Sequence, residues 1–122
     1  MELQALELAK DLSERSSIKI KVGAVIYNKS QILAWGWNNP GDGYGDHAEH
    51  MAVRRFLRSY RGDRRGVAIA VYSTRKGRPI TSRPCGGCEK LLRRYGIMRT
   101  VYLRKYELNG RFVISKMQES YL

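Results

Sequence analysis

The feature that most constrains the fold is an unbroken apolar run, VAIAVY, at residues 67–72. A strand with one wet face alternates apolar and polar side chains, whereas a strand buried on both faces is apolar throughout. The run therefore predicts a central strand that is covered on both sides. A chain of 122 residues has room for one such core, so residues 1–122 are predicted to form a single domain.

The segments around this run supply three helices. Apolar residues at helical spacing predict a first helix that ends near Glu14 and a second helix whose N-terminus is at His47. A third helix is predicted from Cys85 to about Tyr95. Because helices precede and follow the central strand, they are available to cover both of its faces.

Short β-prone runs predict the rest of the sheet. The pair Asn109-Gly110 is a strong hairpin signal, so the last strand is expected to return antiparallel. We expect a loop from Ser73 to Pro84 and a short helix from Lys116. The predicted fold is a three-layer α/β/α sandwich with a central mixed sheet of about five strands. These strands cover residues 22–27, 32–35, 67–72, 100–103 and 111–115.

Charge and hydropathy bear on partners and location. The net charge is +12, and residues 54–105 hold sixteen Lys and Arg against only Asp63 and Glu89. This segment is either a solvated basic face or a surface that attracts phosphates, of a nucleotide or of a polymer. No stretch approaches the ~18 apolar residues of a membrane span, and the first residues do not resemble a signal peptide. We therefore expect a cytoplasmic protein that does not interact with membranes.

Two short motifs carry side chains that bind metals. Cys85 and Cys88 are three residues apart at a predicted helix start, where both thiols face the same way and the thiolate form is favoured. His47 opens another helix and is followed by Glu49. Three ligands, His47, Cys85 and Cys88, leave one position of a tetrahedral zinc ion open for water, as in catalytic sites. The motifs therefore predict Zn²⁺ as the cofactor.

Other interpretations of the same residues exist. A CxxC pair alone is also typical of a redox dithiol or of half a structural zinc site. A redox dithiol does not account for His47 and Glu49. A structural site lacks a fourth ligand, since His50 lies on the helix that already supplies His47. Glu49 alone could be an acid that stabilises a helix N-terminus, but the ordered combination favours a catalytic zinc site.

The motifs together resemble a known superfamily. The residues His47-Ala48-Glu49 and Pro84-Cys85-Gly86-Gly87-Cys88 match the H-x-E…P-C-x-x-C signature of zinc nucleobase deaminases. The sequence resembles the cytidine and deoxycytidylate deaminases over nearly its whole length, including VGAVI at residues 22–26 and GWN at residues 36–38. This superfamily also contains tRNA adenosine deaminases and polynucleotide cytidine deaminases.

The resemblance implies roles for individual residues. Glu49 would take a proton from water and pass protons to the ring nitrogen and to the departing ammonia. The backbone N–H of Ala48 would hold the base carbonyl, and the carbonyl of Arg83 would accept from the exocyclic amine. Asn38 would touch the sugar. Cytosine is favoured over adenine, because the segment after Cys88 looks like the helix and strand of cytidine and deoxycytidylate deaminases.

The branch within the superfamily stays open. His47 as the first ligand points to nucleotide and polynucleotide enzymes, and the Asn109-Gly110 hairpin points to free-cytidine and toxin-like enzymes. Ser82 stands where antiviral polynucleotide enzymes carry an aromatic residue.

Three functions therefore follow from the sequence. The first is deamination of cytidine or deoxycytidine, most simply as the 5′-monophosphate, with the phosphate bound by Arg75, Lys76 or Arg78. The second is deamination of single-stranded DNA or RNA, with Trp37 or Tyr44 stacking on bases. The third is a zinc-stabilised binding module without catalysis, which Glu49 argues against. Deamination of tRNA adenosine is less favoured, and a homo-oligomer is compatible with the sequence.

Overall fold

The computed structural model describes residues 1–40, 47–80, 86–108 and 111–118, with the backbone alone beyond Tyr102. Three helices and six strands follow one another along these segments. Among the described helices, none is long and apolar enough to cross a membrane. The elements are α1 (Glu2–Ser13), β1 (Ile20–Tyr27), β2 (Ile32–Trp37), α2 (Ala48–Ser59), β3 (Ala68–Arg75), β4 (Arg78–Ile80), α3 (Gly86–Arg94), β5 (Arg99–Leu108) and β6 (Arg111–Gln118).

The strands form one mixed sheet in the order β2-β1-β3-β5-β6, with β4 paired to β3 off this path. Strand β1 is antiparallel to β2 and β3, β3 is parallel to β5, and β5 is antiparallel to β6. The apolar run at residues 67–72 lies mostly within β3, whose first six residues are all buried. The prediction of a central strand covered on both faces is confirmed.

Each face of the sheet has its own core. On one face, Ala5, Leu6, Ala9 and Leu12 of α1 pack against alternate residues of β1, β3 and β5. On the other face, α2 and α3 pack against the intervening residues, with Phe56 and Leu92 as their largest fully buried side chains. We call these the α1 face and the α2/α3 face. The three-layer α/β/α sandwich is therefore confirmed.

The predicted loop from Ser73 to Pro84 is wrong over most of its described part. Strand β3 continues to Arg75, and the chain returns as β4 after the two residues Lys76 and Gly77. Both of these residues have positive φ, 53° and 75°. This is the backbone that a tight two-residue hairpin requires, and glycine supplies it without strain. Residues 81–85 lie outside the described segments.

The C-terminal helix expected from Lys116 is also wrong, as far as the described residues extend. Strand β6 runs to Gln118 and pairs antiparallel with β5, with Gln118 opposite Arg99. Lys, Met and Gln are good helix formers, but cross-strand pairing overrides this weak local preference. The antiparallel return of the last strand is confirmed, while Asn109 and Gly110 themselves lie outside the described residues.

Candidate active site

Helices α2 and α3 contact each other on the α2/α3 face, and their starts are adjacent because His47 contacts Cys88. His47 is the residue before α2, with extended backbone angles (φ −69°, ψ 145°), and its side chain does not cap the helix. Cys88 lies in the first turn of α3 and is completely buried. Because both helices present their positive ends here, the site favours thiolate and carboxylate groups.

The structure brings two of the predicted zinc ligands together. His47 Nδ1 lies 3.2 Å from Cys88 Sγ. Two ligands of one tetrahedral zinc ion, with Zn–N near 2.0–2.1 Å and Zn–S near 2.3 Å, are about 3.5 Å apart. The observed separation is therefore close to the one that a shared metal ion imposes. The imidazole and thiol are the donor types that zinc prefers, so these residues fit the metal.

The third predicted ligand, Cys85, lies outside the described residues. Within the segments that the structure describes, no group of three or more His, Cys, Asp or Glu side chains is placed to hold a metal ion. His50 lies beside the pair, with its ring centroid 5.4 Å from that of His47 and the two rings tilted by 32°. Arg83 and Tyr44 also lie outside the described residues.

Glu49 and Ala48 occupy the first turn of α2 and are both buried, at 5% and 0% exposure. The first backbone hydrogen bond of this helix runs from the N–H of Met51 to the carbonyl of His47. The N–H groups before it have no acceptor within the helix, because helix geometry leaves the first turn unpaired. A buried carboxylate and backbone donors are thus placed next to His47.

Strand β2 fixes the position of this first turn through Gly36, a residue whose role the sequence reasoning missed. A Cβ atom on Gly36 would lie 2.5 Å from the carbonyl oxygen of Ala48 and 2.7 Å from the backbone nitrogen of Ala52. Only glycine permits this close approach of strand and helix. A glycine within a strand pattern is a signal of such an approach, and it was available in the sequence as the first residue of GWN.

Asn38 joins the segment before the site to strand β1. Its Oδ1 accepts a hydrogen bond from the Val22 N–H at 2.8 Å, and its Nδ2 donates to the Ile20 carbonyl at 2.7 Å. These two bonds leave one lone pair on Oδ1 and one hydrogen on Nδ2. The side chain is therefore held in place with one donor and one acceptor remaining.

Trp37 lies on the opposite side of β2 from Gly36, at the edge of the α1-face core. Two guanidinium groups lie over its ring, with the Cζ atoms of Arg15 and Arg55 at 5.2 and 5.1 Å from the ring centroid. These cation–π contacts hold the Trp37 ring in place, and the two guanidinium groups cover it. The neighbouring Trp35 is 43% exposed, and Arg55 lies 5.7 Å from its centroid.

The three basic residues near the β3–β4 turn lie on different faces. Val71 belongs to the α2/α3-face core. Side chains alternate along a strand, so Arg75 is on that same face, as is Arg78, which is directly opposite Arg75. Lys76 instead lines a cavity on the α1 face. The structure thus separates Lys76 from the two arginines.

The fold and the paired helix starts define a deaminase-type α/β domain. The model of a particular family, the cytidine and deoxycytidylate deaminase zinc-binding region, matches residues 1–104. The chain belongs to this family, and its membership implies Zn²⁺ as the cofactor. No curated protein sequence matches the chain significantly.

Solved structures show the same fold. The dCMP deaminase from the cyanophage S-TIM5 in apo form has a TM-score of 0.68 and 23% identity, over 87% of this chain and 84% of that chain. The complex of that enzyme with dCMP and dUMP has a TM-score of 0.67 and 24% identity, over 87% and 82%. The cytidine deaminase from Burkholderia pseudomallei has a TM-score of 0.66 and 21% identity, over 95% and 92%.

Proposed function

We propose that this chain hydrolyses the exocyclic amine of cytosine in a small nucleotide, most simply CMP or dCMP, to give the uracil nucleotide and ammonia. His47, Cys85 and Cys88 would hold one zinc ion, and Glu49 would move the protons. The observation that carries the proposal is the 3.2 Å separation of His47 Nδ1 and Cys88 Sγ. The buried carboxylate of Glu49 follows His47 by two residues. Membership of the deaminase family supports the reaction class.

The reaction replaces a C–N bond by a C–O bond at C4 of the base. Bound zinc supplies Lewis-acid activation, which lowers the pKa of water to about 7. Glu49 accepts a proton from the attacking water and delivers it to the ring nitrogen N3. It then passes the second water proton to the amine, which leaves as ammonia. Burial of Glu49 keeps bulk water from competing for these transfers.

The first turn of α2 would also orient the base. The N–H of Ala48 is among the unpaired donors of this turn, and it would donate to the base carbonyl. The carbonyl of Arg83 would accept from the exocyclic amine. Asn38 keeps one donor and one acceptor after its two bonds to β1, which suits a sugar hydroxyl.

Arg75 and Arg78 are the best candidates for the 5′-phosphate. Both are exposed and lie on the α2/α3 face, further along β3 from Val71. Paired guanidinium groups suit phosphate because each offers several donors in a plane. Lys76 faces the other side of the sheet and is a weaker candidate. The cyanophage relative of this fold is a dCMP deaminase seen with dCMP and dUMP, which agrees with a nucleotide substrate.

Single-stranded nucleic acid is the alternative substrate, and one observation favours it. Trp35 is 43% exposed beside the Arg55 guanidinium, and an exposed aromatic ring next to a cation is suited to a stacked base and its phosphate. Trp37 is less suited to this role, because two arginines already lie over its ring.

A substrate panel of cytidine, CMP, dCMP and single-stranded oligonucleotides tests the proposal. We expect turnover of CMP or dCMP. Replacing Arg75 or Arg78 by Ala should raise the KM for the nucleotide about tenfold, because one charge-assisted hydrogen bond to the phosphate is lost. The KM for cytidine should be unchanged. Arg58→Ala, on the exposed side of α2, is the matched control and should change neither.

Activity on oligonucleotides with none on CMP or dCMP would overturn the nucleotide assignment. In that case the affinity should fall with salt at a log–log slope of about −0.7 per phosphate contacted. Arg58→Ala should then weaken binding as much as Arg75→Ala does.

A further inference from the structure

Three side chains from three elements meet at the outer edge of the sheet. Trp37 is the last residue of β2, Arg15 follows α1, and Arg55 belongs to α2. Both guanidinium groups lie over the Trp37 ring, with their Cζ atoms 5.2 and 5.1 Å from its centroid. We call these three residues the tryptophan clamp. Because β2 is an edge strand, the clamp joins a residue from each helix layer to it, and the proposed function does not use it.

The clamp replaces a side chain that is missing across the sheet. Trp37 pairs with Gly23 of β1, where a Cβ atom would overlap the Ala9 carbonyl of α1. Side chains that face each other across two strands normally stabilise the pairing, and Gly23 offers none. The two guanidinium groups supply contacts to the Trp37 ring instead. Arg55 is also tied to β2 itself, because its Nη1 donates to the Trp35 carbonyl at 3.1 Å.

Asn38 comes directly after the clamp, where the pairing of β1 with β2 ends. Three hydrogen bonds hold it to β1. Its N–H donates to the Val22 carbonyl at 3.1 Å, its Oδ1 accepts from the Val22 N–H at 2.8 Å, and its Nδ2 donates to the Ile20 carbonyl at 2.7 Å. Element ends open more easily than element centres, so these bonds depend on how firmly the preceding residue is fixed.

The clamp also sets where Asn38 lies relative to the first turn of α2. Gly36 lies against Ala48, and Trp35 lies against Arg55. Later positions on β2 therefore meet earlier positions on α2, so the strand and the helix run in opposite directions. Asn38 consequently lies toward the N-terminal end of α2, which carries the proposed metal ligand and proton carrier.

We propose that Trp37, held by Arg15 and Arg55, is a positioning residue that fixes Asn38 for the sugar of the substrate. The inference rests on the proposed function, which assigns Asn38 to the sugar. The remaining donor and acceptor of the Asn38 amide keep a defined direction only while its two side-chain bonds to β1 are made. Trp37 thus acts through Asn38 and does not stack on the base.

Hydrogen exchange of the Asn38 side-chain amide, followed by NMR on the zinc-loaded protein, tests the clamp without a substrate. The bond to the Ile20 carbonyl should protect one Nδ2 hydrogen in the wild type. In Trp37→Leu this hydrogen should exchange about tenfold faster or more, because the bond opens more often. Equal exchange in the wild type and in Trp37→Leu would overturn the proposal.

Tyr95→Leu is the matched control for the loss of a ring. Tyr95 is also half-buried at the edge of a core, and the Cζ of Arg94 lies 5.8 Å from its ring centroid. This variant should change the exchange of the Asn38 amide less than about twofold, because Tyr95 does not touch β2. Equal acceleration by Tyr95→Leu and Trp37→Leu would also overturn the proposal.

The KM and kcat for the nucleotide test the connection to the sugar. A contact made alike in the ground state and the transition state affects KM and leaves kcat unchanged. Trp37→Leu should therefore raise KM about tenfold, the effect of one lost hydrogen bond. A merely destabilised protein would instead lose active molecules, and so kcat, at unchanged KM. Trp37→Phe, which keeps a ring for the guanidinium groups, should bring KM back to within about threefold of the wild type.

A double-mutant cycle shows whether Trp37 acts through Asn38. Asn38→Ala should raise KM about as much as Trp37→Leu does, and the double variant should raise it no further. Additive effects would overturn the proposal. Arg15→Gln should raise KM about two- to fivefold through the loss of one cation–π contact, whereas Arg94→Gln should not.

The two kinds of measurement separate this inference from the proposed function. Absence of deamination by the wild type would overturn the proposed function. The exchange measurement does not depend on turnover, so it would still decide whether Trp37 fixes Asn38.

Discussion

At the same end of the sheet, the helix on the α1 face ends, whereas the helices on the α2/α3 face begin. On the α1 face, helix α1 ends beside the start of β1, and its C-terminal turn carries Lys10. On the α2/α3 face, two helices begin, and their first turns carry Glu49 and Glu89, with Cys88 buried in the first turn of α3. A cation thus lies at the negative end of α1, and acidic groups lie at the positive ends of α2 and α3.

This difference shows that helix direction sets which charge each face of the sheet favours at this end. The positive helix ends favour the thiolate and carboxylate forms that the proposed metal binding and proton transfer require. The negative end of α1 favours the cation of Lys10 in its last turn. The chemistry on each face therefore follows from helix direction, and substitutions on the two faces should have different consequences.

The largest effect should come from Glu49→Gln on the α2/α3 face. Glutamine keeps the size of the buried side chain but cannot carry protons. General acid–base residues contribute about 10²–10⁴-fold. Because the proposed mechanism gives Glu49 several transfers, kcat should fall by at least about 10³-fold with zinc content unchanged. Steady-state deamination and metal analysis measure both quantities.

Glu89→Gln is the matched control, because it removes an acid from the first turn of α3. If Glu49 only stabilised a helix N-terminus, the two variants would lose similar, small amounts of activity. Near-normal deamination by Glu49→Gln would remove this residue from the mechanism.

A smaller effect is expected from Gly36→Ala, which pushes β2 against the start of α2. The added methyl would overlap the backbone of Ala48 and Ala52, and overpacking of this kind costs about 1–3 kcal/mol. The free energy of unfolding should fall by that amount, and zinc affinity should fall with it because His47 is displaced. Gly87→Ala is the control for the free energy of unfolding, since a methyl there meets no atom of the described residues within 4 Å. Equal stability of both variants would refute the role of Gly36.

The smallest effects on stability are expected from substitutions of two tyrosines, one on each face of the sheet. Tyr27, on the α1 face, has a buried hydroxyl without a hydrogen-bond partner among the described residues. Tyr60, on the α2/α3 face, donates to the Asp63 carbonyl at 2.7 Å. Tyr27→Phe should therefore be neutral or stabilising by about 1 kcal/mol, while Tyr60→Phe should cost about 1 kcal/mol. Denaturant unfolding at neutral pH gives both values, and a loss of stability in Tyr27→Phe would contradict the account.

Alkaline pH should enlarge this contrast. Burial raises the pKa of Tyr27 from 10 to about 12. Between these values the unfolded chain has lost the phenol proton and the folded chain has kept it. The stabilising contribution is thus complete below pH 10 and is lost as pH rises through 12. Tyr27→Phe should lose less stability than the wild type over this window.

Local pattern was enough to predict most of the fold. The apolar run at 67–72 specified the central strand, and helical periodicity located the three helices within a few residues. The sequence pattern does not predict β4, because Lys76-Gly77 and Pro79 are typical loop residues and only the pairing of Arg78–Ile80 with β3 defines the strand. The propensity of the residues from Lys116 favours a helix, but their pairing with β5 makes them part of the final strand.

The candidate site could be predicted in type but not in detail. The order of His47, Glu49 and Cys88 indicated a zinc site, and the structure places two of these side chains in contact. The placement of Arg75 and Arg78 on one face and of Lys76 on the other could not be predicted, because it depends on the β3–β4 turn, which the sequence pattern does not indicate. The bonds of Asn38 to β1 depend on tertiary geometry that no local pattern encodes.

The zinc site is tested most directly by metal analysis combined with X-ray absorption at the zinc edge, on the wild type and on Cys88→Ser. We expect one zinc per chain with two sulfur ligands at about 2.3 Å and nitrogen or oxygen at about 2.0–2.1 Å. Cys88→Ser should lose the metal or retain it with a single sulfur ligand. A wild-type protein that binds no zinc, or a Cys88→Ser variant with an unchanged sulfur shell, would contradict the assignment of His47, Cys85 and Cys88.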